Sequence, residues 1–330
     1  MEFRTVIPVE SSLHPMSRSQ KIMAFGSCFA ESIGAYMARY KFDVDLNPFG
    51  ILYNPLSISS SLCILKERRL FGETDLFRQE NMWHSFAHHS RFSHTDLQAC
   101  LTRINDRIIQ SSGMLSRADW LLITWGTAWV YRRAETGAVI SNCHKLPSSY
   151  FCRERLTPEE IVVAWRSLIA DLLQLNPALK FCFTVSPIRH FRDGAHANQL
   201  SKSILLLAAD RLCCDFPENC FYFPSYEIVM DELRDYRFYD ADMVHPSEQA
   251  VAYIWERFGQ CFFSDRTRQE NEAWEKVLKL LHHRPISPDA GTCRNFAEQT
   301  LMKLQDFHRK YPAFDVSKEI ESLESFMKNR

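Results

Sequence analysis

The sequence predicts an α/β protein: a mainly parallel sheet with helices on both faces, followed by a helical extension. Continuously apolar runs such as Trp120-Leu121-Leu122-Ile123-Thr124-Trp125 suit a parallel strand buried on both faces. Stretches with helical spacing alternate with those runs along the chain. Beyond Phe263 the strand-like runs stop, while amphipathic charged stretches continue.

Taken in order, residues 21–25 form a short apolar run ending at Gly26, read as the first strand. Residues 29–40 follow with Phe29, Ile33, Tyr36, Met37 and Tyr40 on one helical face. Residues 59–65 lie in a second helix, and 97–109 repeat the helical spacing through Leu97, Leu101, Ile104 and Ile108. After the strand at 120–125, Thr157 is placed to cap a helix, with Pro158 at its first position and Glu160 closing a capping box. A buried strand at 181–185, a helix at 199–213, a short strand at 219–223 and a helix from Pro246 to about Phe262 complete the alternation. The remainder reads as helices at 265–283, 295–310 and 317–328, with a break at 284–288. The expected division is an α/β domain over residues 1–263 and a helical extension over 264–330.

The 330 residues are enough for such a core, and 46% of them are hydrophobic, which argues against disorder. With 39 basic and 40 acidic residues, the charge balance suggests neither nucleic acid nor an anionic membrane as the main partner. No run is long and apolar enough to span a membrane, and residues 1–9 do not read as a secretory signal. Eleven cysteines without a C-x-x-C pair read as buried hydrophobes in a reducing cytoplasm, so a cytoplasmic location is expected.

Two segments carry chemistry. In Phe25-Gly26-Ser27-Cys28-Phe29-Ala30-Glu31, a strand ends at a glycine and a helix begins within two residues. Backbone N–H groups at a helix start lower a thiol's pKa and bind an oxyanion, which makes Cys28 a candidate nucleophile. The alternative is a helix start capped by Ser27, with Cys28 only packed. In Asp242-Met243-Val244-His245-Pro246, an aspartate three residues before a histidine can orient the imidazole as a general base. The same spacing occurs in Asp193-Gly194-Ala195-His196, so spacing alone does not choose between the two pairs.

The order of these segments resembles the SGNH (GDSL-like) hydrolase superfamily. The string Gly26-Ser27-Cys28-Phe29-Ala30 resembles the signature of the GSCFA-domain family, a bacterial group similar to that superfamily. Further strings similar to the family are Asn47-Pro48-Phe49-Gly50, Trp125-Gly126-Thr127-Ala128-Trp129, Asn142-Cys143-His144-Lys145, Ser186-Pro187-Ile188-Arg189-His190 and Arg234-Asp235-Tyr236-Arg237-Phe238-Tyr239. The resemblance, over about residues 20–262, implies an SGNH-like, flavodoxin-like three-layer domain. It also implies a Cys28–His245–Asp242 site acting as an acyl-ester or acyl-thioester hydrolase or acyltransferase. The ungapped register, with Glu31 on the acidic position, selects Cys28, and a one-residue shift makes Ser27 the nucleophile.

The resemblance further implies oxyanion donors at the N–H groups of Cys28 and Gly50. The third donor, an asparagine in the superfamily, is replaced by Ala128, and Asn142 and Asn54 are the candidate substitutes. A non-catalytic ligand- or glycan-binding module on the same fold is the rival reading. Arg189, His190, Asn198 and Lys202 follow the fourth strand and can hold an anionic substrate group, and His144 and Lys145 join them as substrate-binding candidates. His84, His88, His89 and His94 lack zinc-site spacing and read as a polar wall rather than a metal site. No metal or cofactor is expected. The expected partner is a small-molecule or glycan acyl substrate, and the oligomeric state is not specified by sequence.

Overall fold

The apolar runs become the strands of one parallel sheet. The structure is a computed structural model describing residues 4–283 and 290–328. In chain order the elements begin β1 (Lys21–Gly26), α1 (Cys28–Arg39), β2 (Asp43–Leu46), α2 (Pro55–Glu67), β3 (Leu76–Gln79), β4 (Met82–Ser85) and α3 (Leu97–Leu115). They continue with β5 (Trp120–Trp125), β6 (Trp129–Arg133), β7 (Val139–Ile140), β8 (Phe151–Arg155), α4 (Pro158–Leu175), β9 (Lys180–Val185), α5 (Gly194–Asp215) and β10 (Cys220–Tyr222). A single turn, α6 (Ser225–Glu227), precedes α7 (Glu248–Phe262), α8 (Asp265–His282), α9 (Ala290–Lys310) and α10 (Ser317–Lys328).

The central sheet has the order β10-β9-β5-β1-β2, with every pair parallel. Alternate side chains feed two separate cores, as the two-residue period of a strand requires. Met23, Phe25, Leu121, Ile123, Phe181 and Phe183 pack with residues of α2, α3, α4 and α5 on one face. Ile22, Ala24, Trp120, Leu122 and Cys182 pack with α1 and α7 on the other. Helices therefore cover both faces. The strand order reverses between β1 and β5, so the carboxyl end of β1 opens at the switch point where such sheets bind ligands.

Several elements were not visible as sequence patterns. Strand β2 is a four-residue edge strand, Asp43-Val44-Asp45-Leu46, too short and polar to register as an apolar run. Two small antiparallel sheets, β3-β4 and β7-β6-β8, are inserted between the core elements. The helix expected to start at Pro246 starts at Glu248: Ser247 caps it by accepting the Ala250 N–H, and Pro246 forms a β-bridge with Tyr239. The capping box at Thr157 and Glu160 forms as read. The break expected at 284–288 lies outside the described residues.

Helices α8 to α10 pack against the far end of α1 through a buried guanidinium. Arg18 lies over the rings of Phe314 at 3.7 Å and Phe42 at 4.7 Å. It donates to the Tyr40 carbonyl and to Asn271 Oδ1 (2.6 Å), with Glu270 at 3.6 Å. Trp274 Nε1 donates to the Arg39 carbonyl at 2.8 Å, and Lys41 pairs with Glu319 at 2.6 Å. No helix among the described residues is long and apolar enough to cross a membrane.

Two stability predictions follow from these contacts. Arg18→Ala removes one partner of a buried ion pair and is expected to cost about 3 kcal/mol or more in urea denaturation; a loss under about 1 kcal/mol would show that the clamp does not hold the two parts together. Gly26 has φ +149°, and a Cβ there would meet the Thr124 carbonyl oxygen and approach Thr124 Cβ to 2.7 Å. Gly26→Ala is expected to destabilise by about 3 kcal/mol or more in the same assay, and a variant as stable as the parent would contradict this close approach.

Candidate active site at the carboxyl edge of the sheet

The end of β1 is fixed from both sides. The Gly26 N–H donates to Asn47 Oδ1 at 2.9 Å, and the Leu52 N–H donates to the Gly26 carbonyl at 3.0 Å. These bonds leave Ser27 and Cys28 to turn directly into α1. Ser27 occupies the N-cap position, yet its hydroxyl makes no capping bond and is buried without a partner. The capping role expected for it is therefore absent.

Cys28 faces the late Asp-x-x-His segment: its Sγ lies 3.6 Å from His245 Nε2. His245 Nδ1 is 2.5 Å from Asp242 Oδ2, while Asp242 Oδ1 accepts the N–H groups of Val244 and His245, both at 2.9 Å. The turn closes because Met243 adopts φ +59°, and the Asp240 N–H donates to the His245 carbonyl at 2.7 Å. The His245 N–H and ring, with the Val244 N–H, hold the Asp242 carboxyl at about 2. Asp242 thus stays ionised and fixes the imidazole with Nε2 toward sulfur. The competing pair is not assembled this way: both Asp193 carboxylate oxygens lie 2.5 Å from the Arg153 guanidinium.

The Cys28 thiol is not strongly acidic in this setting. Burial pushes its pKa up, and Glu31 adds to the rise, while the N–H groups of Cys28 and Phe29 and the charge of Lys202 pull it down. The helix-start effect expected from sequence is present but is outweighed by desolvation. The nitrogen beside the sulfur is His245 Nε2.

The expected oxyanion donors fare unevenly. The Cys28 N–H lies at the free start of α1. The Gly50 N–H, however, is committed to the Asn47 carbonyl at 2.8 Å, and the glycine backs onto His89. Asn54 caps α2, with its amide bonded to the Ser57 N–H (2.8 Å) and hydroxyl (3.0 Å). Asn142 accepts the His144 N–H at 2.8 Å in the loop beside Phe86. Ala128 is buried, its N–H donated to Ser201 Oγ at 2.8 Å.

The residues after β9 divide into rim and floor. Arg189 lies over the rings of Phe191 (5.1 Å) and Tyr239 (5.4 Å). His190 meets the Tyr53 ring edge-on at 5.8 Å, and its Nε2 is buried without a partner; burial pushes its pKa down to about 4. Asn198 is buried and accepts the His190 N–H at 2.8 Å. Lys202 is fully buried, its Nζ donating to the carbonyls of Gly126 (2.6 Å) and Ser186 (2.7 Å). As placed, Asn198 and Lys202 are interior braces.

His144 is buried, with Nε2 donating to the Ser85 carbonyl at 2.8 Å, and Lys145 is exposed. His88 stacks on Phe49 at 4.5 Å, His89 backs Gly50, His84 Nδ1 is 2.7 Å from Ser93 Oγ, and the His94 ring accepts the Asp96 N–H. Among the described residues, no three His, Cys, Asp or Glu side chains form a group able to hold a metal ion. Asn47 and Tyr53 belong to the site without having been singled out from sequence. Asn47 lies within the family-like string Asn47-Pro48-Phe49-Gly50, and nothing local marks Tyr53.

A family model described as the GSCFA family matches residues 21–258, and one described as the GSCFA domain protein, C-terminal domain, matches residues 274–329. No curated protein matches the chain at a significant level. The first match takes in β1, the sheet edge and the Cys28–His245–Asp242 arrangement, and on it the chain belongs to the GSCFA family.

Proposed function

We propose that this protein is an SGNH-like acyl-ester or acyl-thioester hydrolase or acyltransferase acting on a small-molecule or glycan acyl substrate. The observation that carries the proposal is the contact of Cys28 Sγ with His245 Nε2 at 3.6 Å, with Asp242 on the other ring nitrogen. Support also comes from the sheet order, flavodoxin-like when its strands are counted in chain order, with Cys28 at the switch point.

In this reading His245 takes the Cys28 proton as sulfur attacks the acyl carbonyl. The Cys28 N–H meets the resulting oxyanion. The intermediate collapses to a thioester on Cys28, and the imidazolium protonates the departing alcohol or thiol. His245 then deprotonates water or an acceptor hydroxyl, which attacks the thioester and releases Cys28 as a thiol. Gly50 contributes its N–H only if it leaves the Asn47 carbonyl.

A second reading, a ligand- or glycan-binding module without chemistry, is favoured by one observation: Ala128 stands where the superfamily places a donor, and loss of one donor costs about a hundredfold or more in rate.

The discriminating assay is a panel of p-nitrophenyl esters and acyl-thioesters, paired with iodoacetamide labelling. Cys28→Ala is expected to abolish turnover, and His245→Ala to lower kcat/KM by about 100-fold or more while slowing Cys28 labelling at neutral pH. His196→Ala is expected to leave both intact. No turnover in the parent, with Cys28 labelling indifferent to His245→Ala, would favour the binding module.

Ser27→Ala separates the two registers of the nucleophile. The Ser27 hydroxyl is buried and unbonded, so its removal is expected to change stability by less than about 1 kcal/mol and to leave turnover in place. A folded but inactive Ser27→Ala protein, beside an active Cys28→Ala protein, would make Ser27 the nucleophile.

A further inference from the structure

Arg189 has more hydrogen-bonding capacity than the protein uses. A guanidinium offers five N–H donors. Among the described residues the Arg189 side chain makes one bond, from Nη2 to the Tyr239 hydroxyl, and at 3.4 Å it is long. Its Nε is buried without a partner. No carboxylate among the described residues lies within ion-pair distance of it. Arg153 on β8, by contrast, is met by both carboxylate oxygens of Asp193. A half-buried cation without a counter-ion is costly, and an anion that joins it relieves the cost.

The guanidinium stands beside the turn that carries His245. It lies over the Tyr239 ring at 5.4 Å and the Phe191 ring at 5.1 Å. Tyr239 forms a β-bridge with Pro246, and the residue after it, Asp240, donates its N–H to the His245 carbonyl at 2.7 Å. The next residue after Arg189, His190, meets the Tyr53 ring edge-on at 5.8 Å. Just before Tyr53, the Leu52 N–H bonds the carbonyl of Gly26, two residues from Cys28. Arg189 and His190 therefore reach, through one contact each, the two halves of the candidate site. Stacking on rings fixes the plane of a guanidinium and leaves its N–H edge to grip two oxygens of a carboxylate or phosphate.

We propose that Arg189 is an anion subsite, and that the substrates of the candidate site are acyl compounds carrying a carboxylate or phosphate group. The substrate half of this inference rests on the acyl-transfer reading; anion binding by Arg189 does not. The anion docks at the rim, on the His245 side, while the acyl group enters beside Cys28. A carboxylate on the acyl chain and a phosphate on the departing group are the two sources to be distinguished.

Two matched pairs of substrates test it. Mono-4-nitrophenyl adipate is compared with its methyl ester, and butyryl-phosphopantetheine with butyryl-pantetheine. In at least one pair the parent is expected to show a kcat/KM about tenfold or more higher for the charged member, expressed in KM. Arg189→Gln is expected to cut the charged-to-neutral ratio of that pair by about tenfold or more. The pair that responds identifies the source of the anion. No preference in either pair, or a preference that survives Arg189→Gln, overturns the proposal. Absence of turnover with every substrate sinks the acyl-transfer reading and leaves anion binding to be measured directly. In that case, or if Arg189→Gln does not fold, phenylglyoxal modification of Arg189 in the parent is followed by mass spectrometry. Saturating monomethyl adipate or phosphopantetheine is expected to slow it about tenfold or more relative to dimethyl adipate or pantetheine. An Arg189 that is unmodified, or modified at equal rates throughout, overturns the anion subsite.

Discussion

The carboxyl edge of a parallel sheet leaves backbone N–H and C=O groups beyond the last rung of the ladder, and each must find a partner if it is buried. Here those partners form a continuous set of ties across four strands. Asn47 Oδ1 takes the Gly26 N–H, and the Leu52 N–H takes the Gly26 carbonyl. The Tyr53 carbonyl accepts the N–H groups of Gly126 (2.7 Å) and Thr127 (3.0 Å), and Lys202 takes the carbonyls of Gly126 and Ser186. The ends of β1, β2, β5 and β9 are thereby held relative to one another, and Cys28 is carried on the tied edge. The close approach of Gly26 to Thr124 allows this packing, because a side chain at Gly26 would enter the β5 backbone.

The opposite partner is positioned by a different device. His245 and Asp242 have side chains 46% and 50% exposed, so packing alone does not hold them. A local turn does, through two backbone N–H bonds to Asp242 Oδ1 and the positive φ of Met243. One half of the site is thus set by the sheet's interior and the other by a surface turn. They meet because the Tyr239–Pro246 bridge and the Ser247 cap fix how the chain enters α7, which packs on the same face of the sheet as α1.

The core strands and helices were legible because each buries an apolar stripe or run large enough to be seen locally. Trp120–Trp125 and the Thr157 cap are examples. Strand β2 was not, since Asp43-Val44-Asp45-Leu46 at a sheet edge buries little, and the small inserted sheets mix polar and apolar residues for the same reason. At the site, the Cys28 segment and both Asp-x-x-His pairs were visible as patterns. The bonds that distinguish the pairs were not: Arg153, 40 residues before Asp193, engages one aspartate, and Cys28, 217 residues before His245, faces the other histidine. The interior course of Lys202 was equally hidden: the sequence offers it as a substrate-binding candidate after β9, and the two carbonyls that hold it inside, 76 and 16 residues away, leave no local pattern.

Helix α1 joins these levels. Its first turn carries Cys28, and its last carbonyls and following residues are held by Trp274, Arg18 and Lys41 against α8 to α10. A helix of 12 residues with both ends anchored has little freedom to tilt or slide. The contacts that dock the C-terminal helices therefore also fix the axis along which the Cys28 N–H points. Arg18, Trp274 and Lys41 gather at the end of α1 opposite Cys28, so α1 is the element that the C-terminal helices and the candidate site share.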